Sequence, residues 1–208
     1  MVAALRARPA VLVIDNYDSF TFNLVQLLAS LVREAGRGAD EVVVLRNDAL
    51  EPSAILSLAP GALVLSPGPG LPRDAGVCLE LVREAPDALP IFGVCLGMQI
   101  LAEARGAKLM RAGMILHGRT SVLRHEHVGC LERVPSGARV MRYHSWAVDP
   151  ATLPTDLQPT AWAEDGTLMA MRERGRPREA VQFHPESFLT EHGRAMLSAL
   201  VAQGIARS

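Results

Sequence analysis

Three short segments hold the residue types that a nucleophilic site requires, and the first is Ile91-Phe92-Gly93-Val94-Cys95-Leu96-Gly97-Met98-Gln99. One cysteine stands there between two glycines, after an apolar stretch and before a helix-like one. A sharp strand-to-helix turn would hold the Cys95 side chain out in a strained position, with the glycines letting neighbouring elements approach closely. The same turn would aim helix N-terminal amides at the sulfur, which favours thiolate over thiol and offers donors to a developing oxyanion. A cysteine ending an apolar strand also fits plain core packing, because cysteine is among the most buried residue types. Its partners decide between the two.

A thiolate nucleophile wants a base, and the base wants an orienting group. In Val181-Gln182-Phe183-His184-Pro185-Glu186-Ser187 an apolar strand ends in His-Pro-Glu. Residues two apart in extended backbone face the same side, so Glu186 can lie beside His184 and hold its ring. The alternative is a strand-end turn without chemistry. The third segment, Ser66-Pro67-Gly68-Pro69-Gly70-Leu71-Pro72, follows an apolar run. Alternating Pro and Gly make a rigid turn whose amides can point at a ligand, without the Lys-Ser/Thr of a phosphate loop. An oxyanion hole suits it better than a phosphate; an ordinary strand-to-helix turn is the plainer reading. His125 and His127 flank Glu126 with no third ligand at a usual spacing, so they read as a solvated loop rather than a metal site.

These segments need elements to hold them. Val11 to Ile14, Glu41 to Leu45, Ala62 to Leu65 and Leu89 to Val94 read as buried strands. They alternate with helices predicted over Phe20 to Glu34 (N-cap Asp18 or Ser19), Pro52 to Leu58, Asp74 to Glu84 and Gln99 to Arg105. That alternation predicts one α/β domain, a doubly wound (flavodoxin-like) fold with a central, mostly parallel sheet and ligands at the strands' carboxyl ends. Past Arg105 the texture changes to short runs at Thr120 to Leu123, Val140 to Tyr143, Thr160 to Ala163 and Leu168 to Met171. These predict a smaller mixed or antiparallel sheet in the second half. Ala180 to Phe183 gives a last strand and Glu191 to Gln203 a closing helix. Residues 10–208 are expected to form the domain, with residues 1–9 a peripheral extension.

Composition narrows the partners. With 21 Lys and Arg against 22 Asp and Glu, the net charge is −1 over 208 residues, and no long basic run occurs. Nucleic acid and anionic membrane are therefore not expected as partners. Three cysteines at unrelated spacings fit neither a disulfide framework nor a zinc site. The first residues lack the apolar core of a signal peptide, and no stretch is long enough to span a bilayer. A soluble, cytoplasmic protein is expected.

With Gly-Val-Cys-Leu-Gly-x-Gln, Ser-Pro-Gly-Pro-Gly and Gln-Phe-His-Pro-Glu-Ser in this order, nearly the whole chain resembles the class I (triad) glutamine amidotransferases. The runs Asp15 to Thr21, His117 to Ser121, Arg142 to Ser145 and Leu189 to Gly193 make it similar to the glutaminase subunits of anthranilate synthase and aminodeoxychorismate synthase. The resemblance implies a Cys95-His184-Glu186 triad that hydrolyses L-glutamine through a γ-glutamyl thioester. It implies an oxyanion hole from Gly68, Pro69, Gly70 and Leu96, with Gln99, Ser145 and the backbone beside Trp146 holding the polar ends of glutamine. No metal or organic cofactor is implied. A chorismate-binding synthase is the implied partner, in a hetero-oligomer that takes up the ammonia, with His117 to Ser121 as the candidate partner-facing segment. Two positions depart from the family, which usually has His at Met98 and Leu at Trp146. A stand-alone cysteine hydrolase of the same fold and a catalytically silent regulatory or scaffold component of the same complex stay open beside this reading.

Overall fold

The computed structural model describes residues 8–208, apart from the side chains of residues 113–117. Five parallel strands carry the first half and close it from the far end of the chain. They are β1 (Val11–Asp15), β2 (Val42–Arg46), β3 (Ala62–Leu65), β4 (Ile91–Val94) and β10 (Arg178–Val181), in the order β2-β1-β3-β4-β10. Helices α1 (Thr21–Glu34), α2 (Pro52–Ser57), α3 (Cys78–Glu84), α4 (Leu96–Ala104) and α5 (Gly193–Arg207) cover them.

Alternate residues of each strand go to opposite faces, so one strand feeds two cores. Val11 and Val13 pack with Leu24 and Leu28 of α1 and Leu197 and Leu200 of α5. Leu12 and Ile14 pack with Ile55 of α2, Leu81 of α3 and Ile100 of α4. All four β1 residues are fully buried, which is why these strands read as unbroken apolar runs instead of alternating ones.

The second half holds the expected smaller antiparallel sheet, with fewer of its strands than the runs suggest. Strands β9 (Leu168–Glu173), β8 (Leu157–Trp162) and β6 (Arg124–His125) do not form a separate sheet; they extend the main one antiparallel beyond β10, giving eight strands. The smaller sheet is a two-stranded antiparallel ribbon of β5 (Leu109–Val122) and β7 (Arg139–Val148). Each ribbon strand is longer than its predicted run, because register shifts between Arg111 and Leu116 and between His117 and Arg119 carry the ladder past Gly113 and Gly118.

Helix α3 starts at Cys78, not Asp74. A 3-10 turn at Pro72–Asp74 precedes it, and Gly76 breaks the run at φ +55°, where an added Cβ would collide with the Asn47 carbonyl. Helix α1 has Phe20 as its N-cap instead of Asp18 or Ser19; the Asp18 carboxylate instead accepts from the Phe20 amide at 2.7 Å, in the turn before the helix. Residues 1–7 of the expected extension lie outside the described residues; Arg8 and Pro9 are tied to the fold through Ala59 and Gly61. No helix among the described residues is long and apolar enough to cross a membrane.

Candidate active site

The loops after β1, β3, β4 and β10 leave the same end of the parallel sheet and meet in a cleft of about 390 Å³. Parallel sheets place ligands there, where the strand order lets neighbouring loops diverge. Tyr17, Asp18 and Ser19 follow β1; Pro67 to Gly70 follow β3; Cys95, Leu96 and Gln99 follow β4; and His184 follows β10. The opposite wall is Tyr143, His144, Ser145 and Trp146 of β7.

Cys95 sits at φ 53°, ψ −101°, a region that L-residues other than glycine rarely visit. The turn is tight because Gly93 and Gly97 touch: a Cβ on Gly93 would overlap the Gly97 backbone, and one on Gly97 would overlap the Leu65 carbonyl of β3. Both glycines therefore serve the close approach expected of an elbow, and α4 opens at Leu96 immediately after the sulfur. The Cys95 amide is held by the Val181 carbonyl at 2.8 Å. That bond ties the elbow to β10.

His184 is 2% exposed. Its Nδ1 meets Glu186 Oε1 at 2.6 Å, and its Nε2 is buried with no hydrogen bond of full geometry. Burial alone would lower the pKa of this imidazole, but the hydrogen bonds and charges of Cys95 and Glu186 outweigh it and raise the value to about 10. At neutral pH the ring carries its second proton, between a sulfur and a carboxylate. Phe20 stands edge-on to the ring, centroids 6.4 Å apart. Burial raises Cys78 to about 12 and Cys130 well above the usual thiol range, with Glu179 adding to the effect at Cys130. Those two thiols are inert by comparison.

The β7 wall is oriented by a second buried polar group. Arg142, 1% exposed, pairs with Asp165 at 2.8 Å and donates to Ser121 and Thr167. Its Nε donates to His144 Nε2 at 3.2 Å, so that nitrogen is an acceptor and the ring proton lies on Nδ1. Nδ1 in turn donates to the Trp146 carbonyl at 3.0 Å, which also accepts from Gln99 Nε2 at 3.0 Å. Burial and then the Arg142 charge lower the His144 pKa to about 4. The ring is neutral and fixed in one tautomer.

Every predicted glutamine-site residue, Gly68, Pro69, Gly70, Leu96, Gln99, Ser145 and Trp146, lines the cleft with Cys95 and His184. Glu186 stands behind His184 without lining it. Trp146 differs in detail from its expected part: its carbonyl is already filled by Gln99 and His144, and its ring lies under Arg111 at 4.5 Å. Met98, where the family usually has His, is fully buried in the core around α4. Residue type and spacing alone assign no part to Tyr17, Asp18, Ser19, Arg142, His144 or Gln182. The signal for Gln182 was present, as an amide between Val181 and Phe183 in an apolar strand. No group of three or more His, Cys, Asp or Glu that could hold a metal occurs among the described residues.

Comparison with known proteins gives the family. The family model for glutamine amidotransferase class-I matches residues 12–203. The chain is 45% identical over 188 residues to aminodeoxychorismate synthase component 2 of Escherichia coli, covering 90% of this chain and 97% of that one. It is 43% identical over 197 residues to anthranilate synthase component 2 of Pseudomonas aeruginosa, covering 92% and 94%. It is also 47% identical to a segment of the multifunctional tryptophan biosynthesis protein of Phycomyces blakesleeanus, of whose length it spans 24%. Among solved structures, a putative GMP synthase component from Thermoplasma acidophilum superposes with a TM-score of 0.79 over 94% of both chains at 23% identity, which speaks to fold alone. By its sequence from residue 12 to residue 203, this chain belongs to the class-I glutamine amidotransferase family.

Proposed function

We propose that the chain is a glutaminase subunit that hydrolyses L-glutamine at Cys95 and passes the ammonia to a chorismate-using synthase, for anthranilate, aminodeoxychorismate or both. The observation that carries this reading is the cleft in which a strained cysteine, a protonated histidine with its carboxylate, and a Gly-Pro-Gly loop converge. The thiolate of Cys95 attacks the side-chain amide carbon of glutamine. Amides of the Gly68 to Gly70 loop and of Leu96 receive the oxyanion. His184 gives its proton to the departing ammonia, leaving a γ-glutamyl thioester, and the neutral imidazole then takes a proton from the water that hydrolyses it. Glu186 keeps the ring in place throughout. The Oε1 of Gln99 and the Ser145 hydroxyl receive the polar ends of the substrate, and the Trp146 ring forms the flank.

The need for a partner follows from chemistry. Ammonia released into neutral water becomes ammonium, a poor nucleophile, so the product is useful only where a second active site takes it up. Exposed Phe20, Phe22, Phe188 and Leu189 lie in the segments that lead to and from the cleft residues, and they are the apolar groups we assign to contact with the partner. Within the His117 to Ser121 segment, which we assign to relaying the partner's state, Gly118 to Thr120 are exposed and Ser121 is buried, while the His117 side chain lies outside the described residues. The cytoplasm, where buried thiols stay reduced, is the compartment that suits this chain.

Cys95→Ala is expected to abolish glutamine-dependent product formation by the complex while ammonium-dependent formation continues. Equal loss of both would overturn the proposal. Co-purification of the native partner, followed by identification of the chorismate product, assigns the pathway.

A further inference from the structure

We infer that Gln182 is a further functional residue of this site, a fixed amide donor to the Cys95 sulfur that holds the nucleophile as thiolate and sets its direction; this rests on the glutaminase reading above. The placement starts from strand register. β4 and β10 run parallel with Val94 opposite Val181, so the next residue of each strand, Cys95 and Gln182, come side by side. Gln182 is fully buried and its Nε2 lies 3.6 Å from Cys95 Sγ, within the reach of an N–H···S hydrogen bond.

The direction of that bond is dictated from the other wall of the cleft. The Trp146 carbonyl can only accept, so Gln99 must face it with nitrogen, at 3.0 Å. The second proton of the same Gln99 nitrogen goes to Gln182 Oε1 at 3.3 Å. With its oxygen so engaged, Gln182 has only its NH₂ to offer the sulfur. The orientation is inherited further back, since Arg142 makes His144 a donor and His144 helps pin the Trp146 carbonyl. A buried amide that cannot turn over is a donor in place before the charge forms. Donors of that kind act strongly on anions in a site shielded from water.

The arrangement also separates two tasks. Gln182 does not line the cleft: its nitrogen acts on the sulfur, and it reaches the substrate wall only through the proton its oxygen accepts from Gln99. The other titratable groups that line the cleft with the nucleophile are Tyr17 and Asp18 after β1, His184 after β10 with Glu186 behind it, and Tyr143 and His144 on β7. All of these remain in a Gln182 variant.

The test is the pH profile of Cys95 alkylation by iodoacetamide, followed by mass spectrometry on the full-length protein, with Cys78 and Cys130 as buried internal controls. Gln182→Met keeps the volume and removes the donor. It is expected to move the profile up by about one pH unit, which makes alkylation about tenfold slower at a pH below both midpoints. In the complex, kcat should fall, and by a larger factor than KM for glutamine rises. A profile superimposable on the parent's overturns the inference, as does a change confined to KM. Should Gln182→Met fail to fold, Gln182→Glu retains the oxygen that Gln99 contacts, cannot donate to the sulfur as a carboxylate, and carries the same expectation with a larger upward shift. Failure of the glutaminase reading shows separately, as no Cys95-dependent hydrolysis by the unsubstituted complex. The iodoacetamide profile is read without glutamine and still decides on the hydrogen bond.

Discussion

The two walls of the cleft each contain a buried histidine, and the two histidines are in opposite states. His184, on the wall made by parallel strand ends, has its pKa raised to about 10 because its neighbours are a sulfur and a carboxylate. His144, on the ribbon wall, is lowered to about 4 because burial is reinforced by an arginine. One residue type is thus held charged on one side and neutral on the other. The walls also differ in how they are held. Cys95 is fixed by backbone bonds to β10 and by glycine contacts with its neighbours, whereas Trp146 and Gln99 are fixed by side-chain hydrogen bonds running back to Arg142 and Asp165. Backbone holds the sulfur, and a chain of directed side-chain hydrogen bonds holds the opposite wall.

The sharpest way to break the first wall is Gly93→Ala, whose Cβ has no room against the Gly97 backbone. We expect a loss of more than about 4 kcal/mol, the range of severe core defects, read as failure to fold or a collapse of the urea midpoint. A near-parental midpoint would mean that the elbow can open. Breaking the second wall with Arg142→Met leaves Asp165 and His144 without their buried partner and is expected to cost about 3–5 kcal/mol. Because His144 and Trp146 would then be free to reorient, KM for glutamine should rise in any folded fraction.

Acidity separates the two walls without mutation. His144 binds its proton less readily folded than unfolded, so its contribution is complete above about pH 6.5 and is lost as pH falls toward 4. The shift corresponds to stability on the order of 3 kcal/mol. His184 binds its proton more readily folded, so its contribution is complete below about pH 6.5 and lost as pH rises toward 10. Urea unfolding across this range should give a dome with both flanks, and His144→Gln should flatten only the acid flank. The smallest effect is expected from Met98→Leu. Its site is a closed core position, so a volume-conserving change should cost less than about 1.5 kcal/mol and leave KM unchanged.

The first wall was legible in the sequence because it is local: an apolar strand, a glycine-flanked cysteine, and a histidine two residues from a glutamate each declare themselves within a few positions. The second wall was legible only as a motif. Arg142 and His144 acquire their roles from Asp165, Thr167 and Ser121, residues about 20 positions away that the folding of β5, β7 and the turn before β9 brings together. The length of the ribbon was hidden for the same reason, since Gly113 and Gly118 read as breaks until the opposite strand supplies a bulged ladder. Helix α3 is shorter than the periodicity from Asp74 implies, because nothing local says that Asn47 leaves no space beside residue 76. Those errors are ones of long-range pairing, which propensity and periodicity do not encode.

The position of β10 has a further consequence for how the protein is made. This strand lies between β4 and β9 in the sheet yet is the last strand of the chain. A ribosome therefore delivers the nucleophile nearly ninety residues before the segment that brings its base. Until that segment arrives, the emerging polypeptide has an open seam beside the elbow and no charged histidine next to the sulfur. On the glutaminase reading proposed above, synthesis acts as a safety catch: the nascent chain is expected to consume glutamine only once β10 has closed the sheet.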